Sequence, residues 1–334
     1  MTGAGLRVLV VTNMYPTAQD PAFGAFVATQ VKSLPRVGVD VQVEFVNGRR
    51  SAATYVRAPL RISRLVRAGG FDLVHAHYGL AGFVSTFQPL PLVVTFHGDD
   101  VLGTPNGRGG VTMKSRLIRK LGRVAARRAD AVICQSDAMR QALTPAADGS
   151  RAYVIPMGVD VERFSPGDRA AARVRLGIKQ EERLVLFPST PTEPIKRLDL
   201  AQAAVDLLGS RGVPARLWVV TRMPHGQMPD HYRAADCLIV TSDWEGGPII
   251  VKEALCCDLP VVSVDVGDAR RWLELVAGCR LAARDPAALA AGLREVLSGP
   301  RRVDGSAVRQ EVSAERVAAR VVDVYREAIA RRRR

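Results

Sequence analysis

Hydrophobic positions along the first half of the chain fall in short runs separated by longer segments of helical period. Leu6–Thr12 (LRVLVVT) is almost continuously apolar, the pattern of a strand buried on both faces. A Gly/Pro-rich loop follows, then a predicted helix from about Gly24 to Leu34. Val39–Val46, Phe71–His77, Leu92–His97 and Ala131–Gln135 predict further strands, and residues 111–128 a helix. The second half repeats the alternation. Strands are predicted at Arg183–Pro188, Ala215–Thr221, Cys237–Thr241 and Pro260–Val264, with helices near 198–210, 249–257, 286–298 and 313–330. Strands alternating with helices imply parallel α/β sheets. Between the halves, Ile155–Pro166 (IPMGVDVERFSP) lacks periodicity and is rich in Pro and Gly. The reading is α/β, with two doubly wound domains facing each other across a cleft.

At 334 residues, 47% apolar and 24% charged, the chain has the composition of an ordinary globular protein of two domains. Disorder, collagen and a disulfide scaffold are excluded. Five Cys, at 134, 237, 256, 257 and 279, form no C-x-x-C pair and no zinc-type spacing, so they are read as reduced thiols of a cytoplasmic protein. Residues 1–5 lead straight into a strand without a charged leader, so no targeting segment is expected. The stretch between Asp72 and Asp99 carries no Asp, Glu, Lys or Arg, but its His and Pro residues make it a poor membrane span. Two buried strands around a short helix account for it.

The most informative segment is Ser242–Val266 (SDWEGGPIIVKEALCCDLPVVSVDV). Glu245 lies in a loop after a strand, Gly246 and Gly247 permit close backbone approach, and Pro248 suits a helix start. Glu253 lies eight residues after Glu245, inside that helix. The free N–H groups of a helix start favour anions. Carboxylates accept hydrogen bonds from hydroxyl groups. A ligand with both phosphates and hydroxyls, such as a nucleotide sugar, fits the pair. The competing reading is an ordinary helix start with a solvated Glu.

Glu245-x7-Glu253 within EGGPIIVKEAL resembles the signature of family-4 retaining glycosyltransferases of the GT-B fold. IPMGVDVERFSP looks like that family's interdomain segment, and DLVHAHYG (72–79) and VVTFHGDDV (93–101) like its N-terminal strands. FPSTPTEPIKRLDLA (187–201) sits where the family has its phosphate-binding loop. HYRAADCLIVTS, EGGP and PVVSVDVGD resemble most the teichuronic-acid-type branch of bacterial polysaccharide glycosyltransferases. The matches run in order from about residue 7 to 275.

The resemblance implies two Rossmann-like domains: an acceptor-binding one over 1–156, a nucleotide-sugar-binding one over 157–312, and a helix over 313–330 that packs back on the first. It implies a retaining, metal-independent transfer of a sugar from a nucleotide diphosphate to a hydroxyl acceptor, with no cofactor. Glu253 would hold the ribose hydroxyls. Glu245 would contact the donor sugar, with Gly246, Gly247, Pro248 and Ile249 supplying the surrounding backbone. Lys196 and its neighbour Arg197 would neutralise the diphosphate, Gly24 would let the backbone approach the phosphates, and His97 would lie near the transferred sugar. The family usually carries an Arg shortly before this Lys. Here Ser189–Pro194 contains none, which leaves Arg197, or Arg270 and Arg271, to compensate. Two alternatives stand beside this reading: a non-catalytic nucleotide-sugar-binding protein and a nucleotide-sugar epimerase of the same fold.

His75 and His77 share one face of a strand and lack partners for a metal site, so they read as hydrogen-bonded structural groups. Asp99 is expected to cap or orient the loop after His97. Net charge is +14, and residues 1–150 hold 18 basic and 9 acidic residues, a net +9. Arg supplies 41 of the 47 basic residues, so part of the excess reflects overall composition. Yet Arg108–Arg128 holds eight basic residues and no acidic one, Arg116, Arg119, Lys120 and Arg123 among them, with Met113, Leu117, Leu121 and Val124 at helical spacing. Such a helix suits a lipid-linked acceptor or an anionic membrane, placing the protein peripherally on the inner face of the plasma membrane. The competing reading buries the apolar stripe in the helix's own core. With 5% aromatics and no recognition motif, nucleic-acid binding is not expected.

Overall fold

A computed structural model of the chain describes residues 5–104, 110–189, 193–221 and 223–333. Arg108, residues 190–192 of the phosphate-loop segment and Arg334 lie outside the described residues. The chain forms two compact units. One comprises residues 1–158 and 314–334, the other Val159–Ser313.

The first unit is built on β1 (Arg7–Thr12), β2 (Asp40–Phe45), β3 (Leu73–His77), β4 (Leu92–Thr95), β5 (Ala131–Cys134) and β6 (Ala152–Val154). All pair in parallel, in the order β2-β1-β3-β4-β5-β6. Four of them are almost wholly buried, which is why they read as unbroken apolar runs. Helices α1 (Ala25–Ser33), α2 (Ala53–Gly69), α3 (Gly79–Val84), α4 (Met113–Arg128) and α5 (Asp137–Leu143) connect them. One face of the sheet packs against Ala58, Ile62 and Val66 of α2, Ala81 of α3, Ala126 of α4 and Met139 of α5.

The second unit has β7 (Leu184–Pro188), β8 (Arg216–Val220), β9 (Cys237–Val240), β10 (Val261–Val264) and β11 (Arg280–Ala282), ordered β11-β10-β9-β7-β8. Around it lie α6 (Arg169–Leu176), α7 (Leu198–Ser210), α8 (Met228–Ala234), α9 (Ile249–Cys256), α10 (Ala269–Glu274), α11 (Pro286–Ser298) and α12 (Ser306–Val312). The last helix, α13 (Ala314–Arg332), belongs to the first unit. With Val27 and Val31 of α1, its Val317, Val321 and Tyr325 cover the other face of that sheet.

Both sheets reverse direction beside their first strand, between β1 and β3 and between β7 and β9. In open α/β sheets, ligands bind outside the strand C-termini at such a point. The loops after β1 and β3, and those after β7 and β9, are therefore the places to look. Sequence reading placed all the long buried strands but missed the short edge strands β6 and β11 and helices α2, α5, α6, α8, α10 and α12. Short or solvent-facing elements carry too few periodic positions to stand out.

One expectation is corrected. The apolar stripe on α4 does not turn into the core as the competing reading had it, and its Leu121 and Val124 are only half-buried. The buried face consists of Ser115, Gly122, Ala125 and Ala126, whereas Met113 and Leu117 are 76% and 58% exposed. The reason is close helix packing. A Cβ at Gly79 of α3 would lie 2.9 Å from the Gly122 Cα, so only small residues fit between α3 and α4.

Candidate functional site

In the second unit, β7 leads into a single 3₁₀ turn, Pro194–Lys196, and β9 into the loop carrying Glu245. The two loops flank the switch point of the sheet. Their backbones are joined where Asp243 N donates to Ile195 O at 2.8 Å. Their side chains join too: Lys196 Nζ lies 2.6 Å from Glu245 Oε1, which also accepts from Ser242 Oγ at 2.7 Å. The Thr241 hydroxyl donates to the carbonyls of Lys196 and Arg197. Arg197 has a left-handed backbone, φ 55°, at the start of α7 and binds Asp199 and Asp243. Gly246 and Pro248 are buried, Gly247 and Ile249 half-buried. Gly267 has φ +59°, and a Cβ there would stand 2.8 Å from Pro248 Cδ, so a glycine is required for the turn after β10 to pack on this loop.

Glu253 is buried within α9 and both its oxygens are engaged. Tyr232 OH donates to Oε2 at 2.8 Å, and His225 Nε2 lies 2.6 Å from Oε1. Burial disfavours the His225 imidazolium, but the adjacent Glu253 carboxylate outweighs it and holds its pKa above the ordinary value. Beside it, Lys252 is fully buried and reaches both oxygens of Asp268 at 3.0 and 2.9 Å, while Trp272 Nε1 donates to Asp268 Oδ2. Sequence reasoning missed His225, Tyr232, Lys252 and Asp268. Tyr232, Lys252 and Asp268 stood inside quoted motifs, yet only packing reveals that a lysine there is buried. Of the residues considered as substitutes for the missing Arg, Arg270 is exposed and binds Asp265 and Glu274, and Arg271 binds Glu311. A further arginine that the sequence did not single out, Arg284, donates to the carbonyls of Ser242 and Asp243.

In the first unit, three imidazoles gather at the C-terminal ends of β3 and β4. His75 Nδ1 meets Tyr325 OH at 2.7 Å and its Nε2 meets Thr95 Oγ1 at 2.7 Å. His77 Nδ1 lies 3.2 Å from His97 Nε2, and Gln135 Nε2 lies 2.7 Å from His97 Nδ1. The His77 and His97 rings stack, and Phe26 of α1 packs on His97. Burial lowers the pKa of all three, His77 to about 3, so the cluster is neutral at physiological pH. Among the described residues His77 Nε2 is one of three buried side-chain atoms without a hydrogen-bond partner.

The loop after His97 is oriented by Asp100 rather than Asp99. Asp100 accepts from the backbone N–H groups of Gly79, His97 and Gly98, while Asp99 accepts from Tyr78 OH. Asp100 is buried where those amides converge, so it takes the bonds that Asp99 was expected to take. Gly24 caps α1 with φ 67°, and a Cβ there would sit 2.4 Å from Met14 C. Its want of a side chain is thus demanded by the chain itself. Arg116, Lys120 and Arg123 are exposed on α4, and Arg119 donates to Val101 O at 2.9 Å.

Comparison with known proteins reaches the same places. The family described as Glycosyltransferase Family 4 matches residues 1–163, and the family described as Glycosyl transferases group 1 matches residues 198–312. A D-inositol 3-phosphate glycosyltransferase of Geodermatophilus obscurus is 30% identical, over 73% of this chain and 63% of its own length. A protein named for teichuronic acid biosynthesis, the glycosyltransferase TuaC of Bacillus subtilis, is 26% identical over 78% of this chain and 82% of its own. The chain thus spans less than two thirds of the first of these relatives. Among solved structures, sucrose-phosphate synthase of Thermosynechococcus elongatus superposes with a TM-score of 0.78 at 18% identity, covering 97% of this chain and 99% of that one. Anabaena Alr3699/HepE, solved with UDP and glucose, superposes with a TM-score of 0.69 at 16% identity, over 95% and 98%. One family match falls on each unit, the EGGP-to-KEA segment lies inside the second, and the fold is that of GT-B enzymes throughout, so the chain belongs to the family-4 glycosyltransferases of the GT-B fold.

Proposed function

We propose that the chain is a retaining glycosyltransferase that moves a sugar from a nucleoside-diphosphate donor to a hydroxyl acceptor, with the donor held by the second unit and the acceptor by the first. The observation that carries the reading is the ion pair of Lys196 and Glu245, 2.6 Å apart, between two loops at the switch point of a parallel sheet. A cation there meets the diphosphate as it leaves and gains charge. A carboxylate beside it accepts from sugar hydroxyls, and the start of α9 adds N–H groups free for an anion. In this scheme Lys196 does the work for which other transferases use a metal, and no cofactor is needed. The Anabaena neighbour, solved with UDP and glucose, is consistent with a donor of this class.

For retention, the acceptor hydroxyl approaches the face of the sugar from which the diphosphate departs. The C1–O bond to phosphate breaks, the C1–O bond to the acceptor forms, and the hydroxyl proton passes to the departing phosphate oxygen. Glu253 would hold the ribose with lone pairs left over from His225 and Tyr232.

A thermal-shift screen with UDP, GDP and ADP tests the donor class. Saturation at about 100 times Kd adds about 2.7 kcal/mol of stability, several degrees for a unit of this size. The nucleotide that raises the midpoint identifies the nucleoside of the donor, and NMR of the product reads the anomeric configuration. Absence of a shift with every nucleoside diphosphate at millimolar concentration would overturn the reading, and an inverted product would overturn retention.

A further inference from the structure

Five of the seven exposed large apolar side chains among the described residues belong to three neighbouring elements of the first unit. Val56 and Leu60 lie on α2, Phe87 on the turn after α3, and Met113 and Leu117 on α4. These elements share one face of the sheet, since Ala58 and Ile62 of α2, Val84 of α3 and Ala126 of α4 enter the same buried cluster. Ser63 Oγ of α2 donates to the Phe87 carbonyl at 3.2 Å, which ties the turn to the helix.

Helix geometry sets the direction of these side chains. At about 100° per residue, Val56 and Leu60 project from the side of α2 away from Ala58, Ile62 and Val66. Met113 and Leu117 likewise project from the side of α4 opposite Ser115 and Gly122. α4 inverts the usual arrangement, with small residues inward and large apolar ones outward, while α2 buries Ile62 and Val66 yet carries Val56 and Leu60 outward as well.

The surround is basic. Segment 46–71 and segment 101–129 contain no Asp or Glu. On them Arg57, Arg64, Lys114, Arg116, Lys120 and Arg123 are all exposed, and none forms an ion pair among the described residues. Only Arg61 of α2 has a carboxylate partner, Glu44. An apolar centre ringed by unpaired cations has no use as a solvated surface. No helix among the described residues is long and apolar enough to cross a membrane, so the face suits lying on a surface rather than spanning one.

We infer that α2, the 85–87 turn and α4 form a docking face for an anionic lipid bilayer, with Leu60, Phe87, Met113 and Leu117 entering the acyl boundary and the flanking Arg and Lys on the headgroups. Charge complementarity selects the occupant: anionic headgroups match the cations, and the acyl boundary takes the apolar centre.

Flotation of the full chain with phosphatidylglycerol-rich vesicles, against pure phosphatidylcholine vesicles, at low and high salt tests this. The chain is expected to float with the anionic vesicles at low salt and to stay behind with the neutral ones. Each basic side chain near an anionic surface strengthens binding about fivefold, so Arg57→Ser, Arg64→Ser, Lys120→Ser and Arg123→Ser together should weaken it by at least about 100-fold. Leu60→Ser with Leu117→Ser should abolish the binding that survives in high salt, which electrostatics alone would not maintain. Both variant sites are exposed, and an unchanged melting midpoint checks that the fold is intact. Arg183→Ser with Arg301→Ser, exposed arginines of the second unit, should leave flotation unchanged. The inference is overturned if the chain ignores anionic vesicles at low salt, if the α2 and α4 variants float like the parent, or if dextran sulfate captures the chain and vesicles do not. None of these outcomes bears on donor binding, which the nucleotide screen reads separately.

Discussion

Glu253 offers the sharpest test of the donor site, because the structure gives it two jobs that a substitution can separate. Its Oε2 is the acceptor for Tyr232 OH, whose ring is fully buried, and its Oε1 faces His225. Glu253→Ala strands a buried hydroxyl, at about 1–3 kcal/mol, and removes a charge-assisted bond to a half-buried imidazole, at about 1.5 kcal/mol. The sum, about 2.5–4.5 kcal/mol, lowers the melting midpoint of a unit of this size by roughly 10 °C. Loss of nucleotide binding by that variant would therefore be ambiguous. Glu253→Gln keeps an amide oxygen for Tyr232 and loses only the charge, so it should cost about 1 kcal/mol of stability. If the carboxylate also holds ribose hydroxyls, the same variant should bind nucleoside diphosphate about tenfold more weakly, since charged acceptors exceed neutral ones by about 1.4 kcal/mol. Thermal melting without ligand and titration calorimetry with the nucleotide measure the two effects independently. A Gln variant with the small loss of stability but undiminished affinity would refute the ribose assignment and leave Glu253 as the residue that fixes His225 and Tyr232.

Two further outcomes are expected. Lys196→Ala should lower kcat about 100-fold and donor affinity less than about tenfold, because charge on the diphosphate peaks in the transition state, and steady-state kinetics separate the two; a turnover within about twofold of the parent would move the phosphate to another cation. Acid should destabilise the first unit: unfolded histidine binds a proton below about pH 6.5, whereas buried His77 waits until about 3, so stability is complete above 6.5 and is lost as pH falls towards 3. At pH 5 His77 alone accounts for about 2 kcal/mol, with His75 and His97 acting in the same direction. Hydrogen exchange of the β3 and β4 amides between pH 7 and 5 reads this locally, and equal protection at both pH values would contradict it.

Much of the architecture lay open in the chain itself. Runs such as LVVT and AVIC declared central parallel strands because burial on both faces leaves no polar position. The EGGP-to-KEA spacing announced a loop and a helix start because glycine, proline and a carboxylate at that interval have few other uses. What the sequence could not supply was partnership across distance. That Lys196 meets Glu245, 49 residues away, depends on the strand order that sets β7 beside β9. That Glu253 shares its carboxylate with His225 and Tyr232 depends on α8 and the turn before it packing on α9. The helix α4 shows the limit most plainly. Its apolar spacing is readable in one dimension, but which side faces inward was decided by Gly79 and Gly122, whose missing side chains bring α3 so close that only Ser, Gly and Ala fit between. Periodicity records that a face exists; packing volume decides where it points.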